Sequence, residues 1–194
     1  MKTNTSNKVK SMTIAALLSA IGIMIPMFAP SIRIEPASFT LASHVPVFIA
    51  MFISPPVAIS VALISSFGFL IAGFLPVVVL RALTHLIFAT IGAFILKKNG
   101  KILKSVKSTV LFAIFISAIH AVAEVTAVSL FYLVVGMPDA FKEKGYFVAV
   151  FGFVGLGTFI HSLIDFSIAT VIWKALQHIV TIPTSARIRM NSSK

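Results

Sequence analysis

The chain has 194 residues, of which 58% are hydrophobic and only 11% charged, with a net charge of +11 and no cysteine. Soluble domains carry about 25% charged residues, so this composition cannot clothe a globule in polar surface and excludes an ordinary soluble fold. Missing cysteine excludes disulfides, thiolate catalysis and cysteine-built zinc sites, and in so apolar a chain the positive charge marks flanks facing anionic lipid, not a nucleic-acid partner.

Residues 1–10 form a polar, basic start with Lys2, Lys8 and Lys10. Residues 11–29 are the first apolar run. The basic start and apolar middle imitate a signal peptide, but further apolar runs follow at once and no clear small-residue cleavage site appears. The run is read as a retained helix ended by Pro26 and Pro30. Residues 30–43, with Pro30, Arg33, Glu35 and Pro36, read as a loop. A short apolar segment, 44–53, reaches span length only if it starts near Phe39. Ser54-Pro55-Pro56 is a sharp stop, because proline donates no backbone hydrogen bond and restricts the residue before it. Helices are then expected over 57–72, 77–96 and 108–135. Between them lie a turn at 73–76, a basic loop at 97–107 with Asn99-Gly100 as its turn signal, and a break at Gly136-Met137-Pro138. After a charged loop at 139–145, residues 146–179 are long for one span. Gly152, Gly155 and Gly157 could bend that helix or admit another closely. The tail from about 181 to 194 is polar and basic.

Six spans of about 20 residues use about 120 residues, which leaves short loops and tails but no catalytic domain. The expected fold is therefore a single all-α integral membrane domain over 1–194, with six transmembrane helices in one bundle. Lys and Arg set the orientation. With six spans, twelve of the sixteen lie on the side of the N-tail, the 97–107 loop and the C-terminal end. Three, Arg33, Lys142 and Lys144, lie on the other side. Both termini are thus expected in the cytoplasm. Arg81 lies inside a span.

Ionisable groups in hydrocarbon are costly and usually face a bundle interior. Here they come in pairs four apart: Arg81/His85, His120/Glu124 and His161/Asp165. That spacing puts both members on one helical face. With about 1.5 Å of rise per residue, the three polar stripes begin in the outer half of the bilayer. They predict a pocket loaded from outside and capped by the 30–43 loop. The guanidinium of Arg81 stays charged and its planar fork matches a carboxylate. It could equally bridge to Glu124 inside the bundle, or do both. No helix carries His-x-x-x-His, so no metal site is expected, and each histidine is read as a partner between helices. No G-x-S-x-G is present and Ser162 points away from His161, so no catalysis is expected. Phe39 and Phe74 could stack on a flat ring near the mouth, and Trp173 suits an interfacial belt. Ala16, Ala20 and Gly22 form a small-residue ridge on the first helix, suited either to internal packing or to an outside helix.

The wording of residues 36–85, PASFTLASHVPVFIAMFISPPVA and GFLIAGFLPVVVLRALTHLIFA, resembles the substrate-binding S components of energy-coupling factor (ECF) vitamin transporters. It is most like the niacin type, with pantothenate and hydroxymethylpyrimidine types as alternatives. The resemblance implies a six-helix protein that binds one vitamin with high affinity from outside. Its first extracellular loop would gate the pocket. It would work with a transmembrane coupling protein, EcfT, and two cytoplasmic ATPases, toppling in the membrane to release its cargo. The family's AxxxA contact motif matches Ala16 and Ala20. The start Met1-Lys2-Thr3-Asn4 lacks the histidine of metal-type members. No phosphate loop is present, so ATP hydrolysis must come from elsewhere, and no inverted halves mark a self-sufficient carrier.

The expected site is accordingly Arg81 forking onto a carboxylate, His85 and His161 meeting ring or carboxylate, His120 nearby and Glu124 balancing charge. Ser38, Phe39, Thr40 and His44 would close the lid. No cofactor and no covalent chemistry are expected. A proton-coupled carrier using the His/Asp/Glu set as a relay, and a membrane hydrolase, are the readings from other classes.

Overall fold

The computed structural model describes residues 2–34, 37–137 and 139–189. Met1, Pro36, Pro138 and 190–194 lie outside the described residues, as does Glu35, so the breaks expected at Pro36 and Pro138 and the end of the basic tail fall there. The chain is an all-helical membrane protein with one small hairpin. Among the described residues, four helices are long and apolar enough to cross a bilayer.

Helix α1 runs Lys2–Phe28. It starts inside the polar tail and continues past Pro26, which forgoes the single bond its N–H would make to the carbonyl four residues back. The expected loop is instead an antiparallel hairpin, β1 Ser31–Ile34 and β2 Ala37–Thr40, with Ser31 opposite Thr40 and Ile32 opposite Phe39. Two four-residue strands broken by a proline carry too little alternation to be read as strands in advance.

Helix α2, Val45–Ile53, does not reach back to Phe39. Nine residues extend only about 14 Å, well short of a bilayer core. Every residue of α2 is buried, because it sits among α1, α3, α4 and a later helix, α7, described below. The Ser54-Pro55-Pro56 stop is also the start of α3, Pro55–Ile71. The prolines occupy its first turn, where the missing N–H groups have no helical partner to lose, and Ser54 Oγ accepts from Val57 N at 3.5 Å.

Helices α4, Pro76–Lys98, and α5, Val106–Val135, follow. Gly136 ends α5 at φ +88°, a conformation open to glycine. The short α6, Asp139–Lys142, carries a Lys142–Asp139 ion pair at 2.8 Å. The last apolar stretch divides in two. Phe147–Leu156 is wound as a π-helix and passes into α7, Gly157–Leu176. Gly155 lets Val125 of α5 press close to its backbone.

The apolar core is an aromatic layer. Phe48 meets Phe88 and Phe166 at 5.3 Å between ring centroids, and Phe52 reaches Phe166 at 5.6 Å and Trp173 at 6.2 Å. Inside a bilayer such contacts stabilise by close packing more than by leaving water. Trp173 is wholly buried here and donates to Ala186 O at 3.0 Å, so it does not serve an interfacial belt. The reason is the C-terminal segment, which is not a free tail. Ser185 N and Ala186 N donate to Ile53 O and Phe52 O, the open carbonyls at the end of α2, at 2.8 and 3.0 Å. Ile182 and Ala186 are buried with them.

Candidate ligand-binding site

Three long helices and the segment after β2 bring the polar residues to one level of the bundle. Helix α4 carries Arg81 and His85, α5 carries His120 and Glu124, and α7 carries Thr158, His161 and Asp165. The turn between β2 and α2 adds Ser43 and His44. A cavity of about 510 Å³ opens above them. Its walls include Ser38, Phe39, Thr40 and Ser43 from the hairpin side, Phe74 just before α4 and Val78 on it, and Arg81, His85, Glu124 and His161 below. The volume lies within the usual range of small-molecule sites.

Glu124 is the electrostatic centre. Its Oε2 accepts from Arg81 Nε at 2.9 Å, stands 2.8 Å from Arg81 Nη2, and accepts from Thr158 Oγ1 at 2.6 Å. Its Oε1 faces His120 Nε2 at 3.4 Å and His85 Nε2 at 4.0 Å. The internal salt bridge allowed by the sequence is therefore made, and the guanidinium lines the cavity as well. Arg81 also lies over the Phe39 ring at 5.9 Å, within cation–π range.

Asp165 has a different task. Its Oδ1 accepts from Ala42 N at 2.8 Å and its Oδ2 from His44 N at 2.9 Å. His44 Nδ1 lies 3.0 Å from Oδ2, and His161 Nε2 3.3 Å. Ala42 holds φ +67°, a left-handed conformation that costs a residue with a Cβ about 1–2 kcal/mol. The bonds to Asp165 offset that cost and fasten the base of the hairpin to α7. Ser43 Oγ adds a link to His161 Nε2 at 3.1 Å.

Of the expected residues, Arg81, His85, Glu124, His161, Phe39 and His44 line the cavity. His120 sits under the floor, fully buried, with Nδ1 3.3 Å from Ser162 Oγ. Ser162 does turn away from His161, toward α5. Phe39 stacks at a tilt on His161, 5.4 Å between centroids, and is pressed against the backbone of Gly157. Thr158, Ser43 and the lid-fastening role of Asp165 were not anticipated. Thr158, His161 and Asp165 fall three and four apart on one face of α7, a spacing that could have flagged Thr158. Ser43 gave no signal beyond its neighbour His44.

One donor atom each from His44, His85, His120 and Glu124 lies within 4.8 Å of the others. Counting His-x-x-x-His pairs could not see this, because the donors come from three segments. Ala16 and Ala20 are exposed on the outer face of α1, whereas Gly22 is buried against Ser65 of α3. The ridge is thus split between an inward and an outward face.

The chain is 41% identical over 163 residues to the niacin transporter NiaX of Lactococcus lactis subsp. cremoris (strain MG1363), which covers 84% of this chain and 72% of that protein. No family model matches the chain, and no solved structure does. Together with its apolar helices, this similarity makes the chain a multi-pass cell-membrane transport protein. It belongs to the NiaX family of niacin transporters, the niacin-type S components that residues 36–85 resemble.

Proposed function

We propose that this chain captures niacin, as the nicotinate anion, from outside the cell with high affinity. The observation that carries the reading is Arg81, a partly buried guanidinium, 11% exposed, on the wall of a small-molecule cavity. Glu124 takes its Nε and Nη2 edge, which leaves the Nη1 side to meet a carboxylate. His85 and His161 stand where the ring or carboxylate would lie, and Phe39 offers a face to a flat ring. The hairpin closes over the cargo, with Asp165 as its anchor. Pantothenate would use the same guanidinium; the similarity to NiaX favours niacin.

The chain would act without covalent chemistry, in six passages with both termini in the cytoplasm. The hairpin and α2 would together make the second passage, and α3 the third. EcfT and two ATPases would supply energy. Support for such a partner comes from Ala16 and Ala20, small residues presented outward on α1.

Titration of the purified chain with radiolabelled nicotinate tests the cargo. Saturable binding to the wild type that Arg81→Ala abolishes is expected; unchanged affinity in the variant removes Arg81 from the site. Ala16→Leu with Ala20→Leu should leave nicotinate binding intact and lower co-purification with the coupling protein. Unaltered co-purification would assign the contact to another face.

A further inference from the structure

The floor of the cavity holds more nitrogen donors than a carboxylate ligand needs. The rings of His44, His85 and His120 stand edge to face, with centroids 4.7, 4.8 and 5.1 Å apart. Among the described residues no hydrogen bond joins one ring to another. His120 Nε2 is fully buried and makes no hydrogen bond, although Glu124 Oε1 stands 3.4 Å away. A buried ring nitrogen beside a carboxylate oxygen but out of line for a hydrogen bond is costly unless something binds both.

We propose that His44, His85, His120 and Glu124 bind a zinc-type divalent cation. With metal–donor bonds of about 2.0–2.1 Å in a tetrahedron, neighbouring donors lie about 3.3 Å apart. His120 Nε2 and His85 Nε2 lie 3.4 and 4.0 Å from Glu124 Oε1, and all four donors fall within 4.8 Å. The outer contacts are those of ligands already held in place. Asp165 Oδ2 lies 3.0 Å from His44 Nδ1, leaving Nε2 as its donor. Ser162 Oγ stands 3.3 Å from His120 Nδ1. Arg81 and Thr158 occupy Glu124 Oε2 and leave Oε1 to the ion. Imidazole nitrogens with one carboxylate oxygen suit zinc and related ions better than calcium or magnesium.

Charge favours the same occupant. Arg81 supplies one positive charge, and Glu124 and Asp165 two negative ones. An anionic vitamin would bring the cavity to two negative charges, and a divalent cation restores neutrality. This link to cargo rests on the nicotinate reading above; the donor geometry stands without it.

The test is metal analysis after equilibrium dialysis of the detergent-solubilised chain against zinc, with no vitamin present. About one equivalent bound to the wild type is expected, with loss in His120→Ala and in His85→Ala, each checked for folding by size-exclusion chromatography. Cobalt(II) loading of the wild type should give the intense visible bands of a four-coordinate ion, a readout that needs no variant. Absence of bound zinc and of those bands, or full zinc in both folded variants, overturns the site. Nicotinate titration with and without a chelator then separates the readings. Binding lost on chelation supports the link to cargo, and binding unchanged by chelation overturns that link. No nicotinate binding by either zinc-loaded or chelated protein overturns the cargo reading and leaves the ion site standing.

Discussion

Phe88 and His120 face each other with ring centroids 4.4 Å apart, and the boundary between two layers of the bundle passes between them. On one side lie Phe48, Phe52, Phe166 and Trp173, fully buried or nearly so and packed edge to face or at a tilt. On the other lie Arg81, Glu124, Asp165 and four histidines around a cavity of about 510 Å³. Helix α7 serves both layers, with His161 and Asp165 in one and Phe166 and Trp173 in the other, whereas α2 gives Phe48 and Phe52 to the aromatic layer alone. The aromatic layer gains from filling space; edge-to-face pairs add about 0.5–1.5 kcal/mol each. The polar layer gains little net stability from its ion pair, because desolvation of both charges offsets their attraction. Stability and binding are therefore drawn from different levels of one bundle.

Substitutions should break the two layers in different ways. The largest effect is expected at Arg81. In the metal-free protein Arg81→Ala leaves Glu124 buried without its counter-charge, a loss of about 3–5 kcal/mol of stability together with nicotinate binding. Adding Glu124→Gln removes the stranded charge. The double variant should regain most of the thermal stability and none of the binding, and recovery of both would show that Arg81 serves only the bundle. Trp173→Ala should cost a comparable ~3 kcal/mol by opening a cavity and freeing Ala186 O. In that variant nicotinate affinity should stay at the wild-type value wherever the protein remains folded. A weakened affinity in the folded fraction would mean that the layers are coupled.

The sequence made the polar layer legible and the aromatic layer less so. Charges in an apolar chain are few, and a spacing of four assigns each pair to a face, so Arg81, Glu124 and His161 could be placed in one interior before any coordinates. Phenylalanine is abundant, and nothing local distinguishes Phe52 in the core from Phe94 on the outside. Trp173 was misread for the same reason, since its burial depends on Ile182 and Ala186 folding back under α2. The hairpin was hidden because its strands are four residues long and its pairing is not periodic. The convergence of His44, His85 and His120 was hidden because it spans three segments, and a single-helix pattern cannot report it.

Smaller effects sharpen the comparison at the lid, where the polar layer meets the hairpin. Asp165→Asn keeps the shape but loses the charge that holds Ala42 N, His44 N and His44 Nδ1. A loss of about 1–3 kcal/mol is expected from these bonds. It should be read first as faster amide exchange at Ala42 and His44 and faster nicotinate release. Slower or unchanged release would assign the hairpin's anchoring to Ser43 and the strand pairing instead.

Gly157→Ala should give the mildest change. A Cβ on Gly157 would stand 2.5 Å from Phe39 Cζ and 3.0 Å from Cε2. No backbone atom blocks it, and Gly157 itself has ordinary helical angles, φ −60° and ψ −48°. The helix can therefore accept alanine, which gains about 0.8–1.0 kcal/mol in helix propensity over glycine. The cost falls on Phe39, whose ring must swing away from α7 and with it from His161 and the guanidinium of Arg81. Stability should stay within about 1 kcal/mol of the wild type while nicotinate affinity falls by roughly tenfold, a loss of about 1.4 kcal/mol. Because α7 loses nothing, that split between an unchanged melting temperature and a weaker affinity would locate Phe39 on the ligand's side of the boundary. Equal affinity would mean that the ring only fills space, as its counterparts do in the aromatic layer.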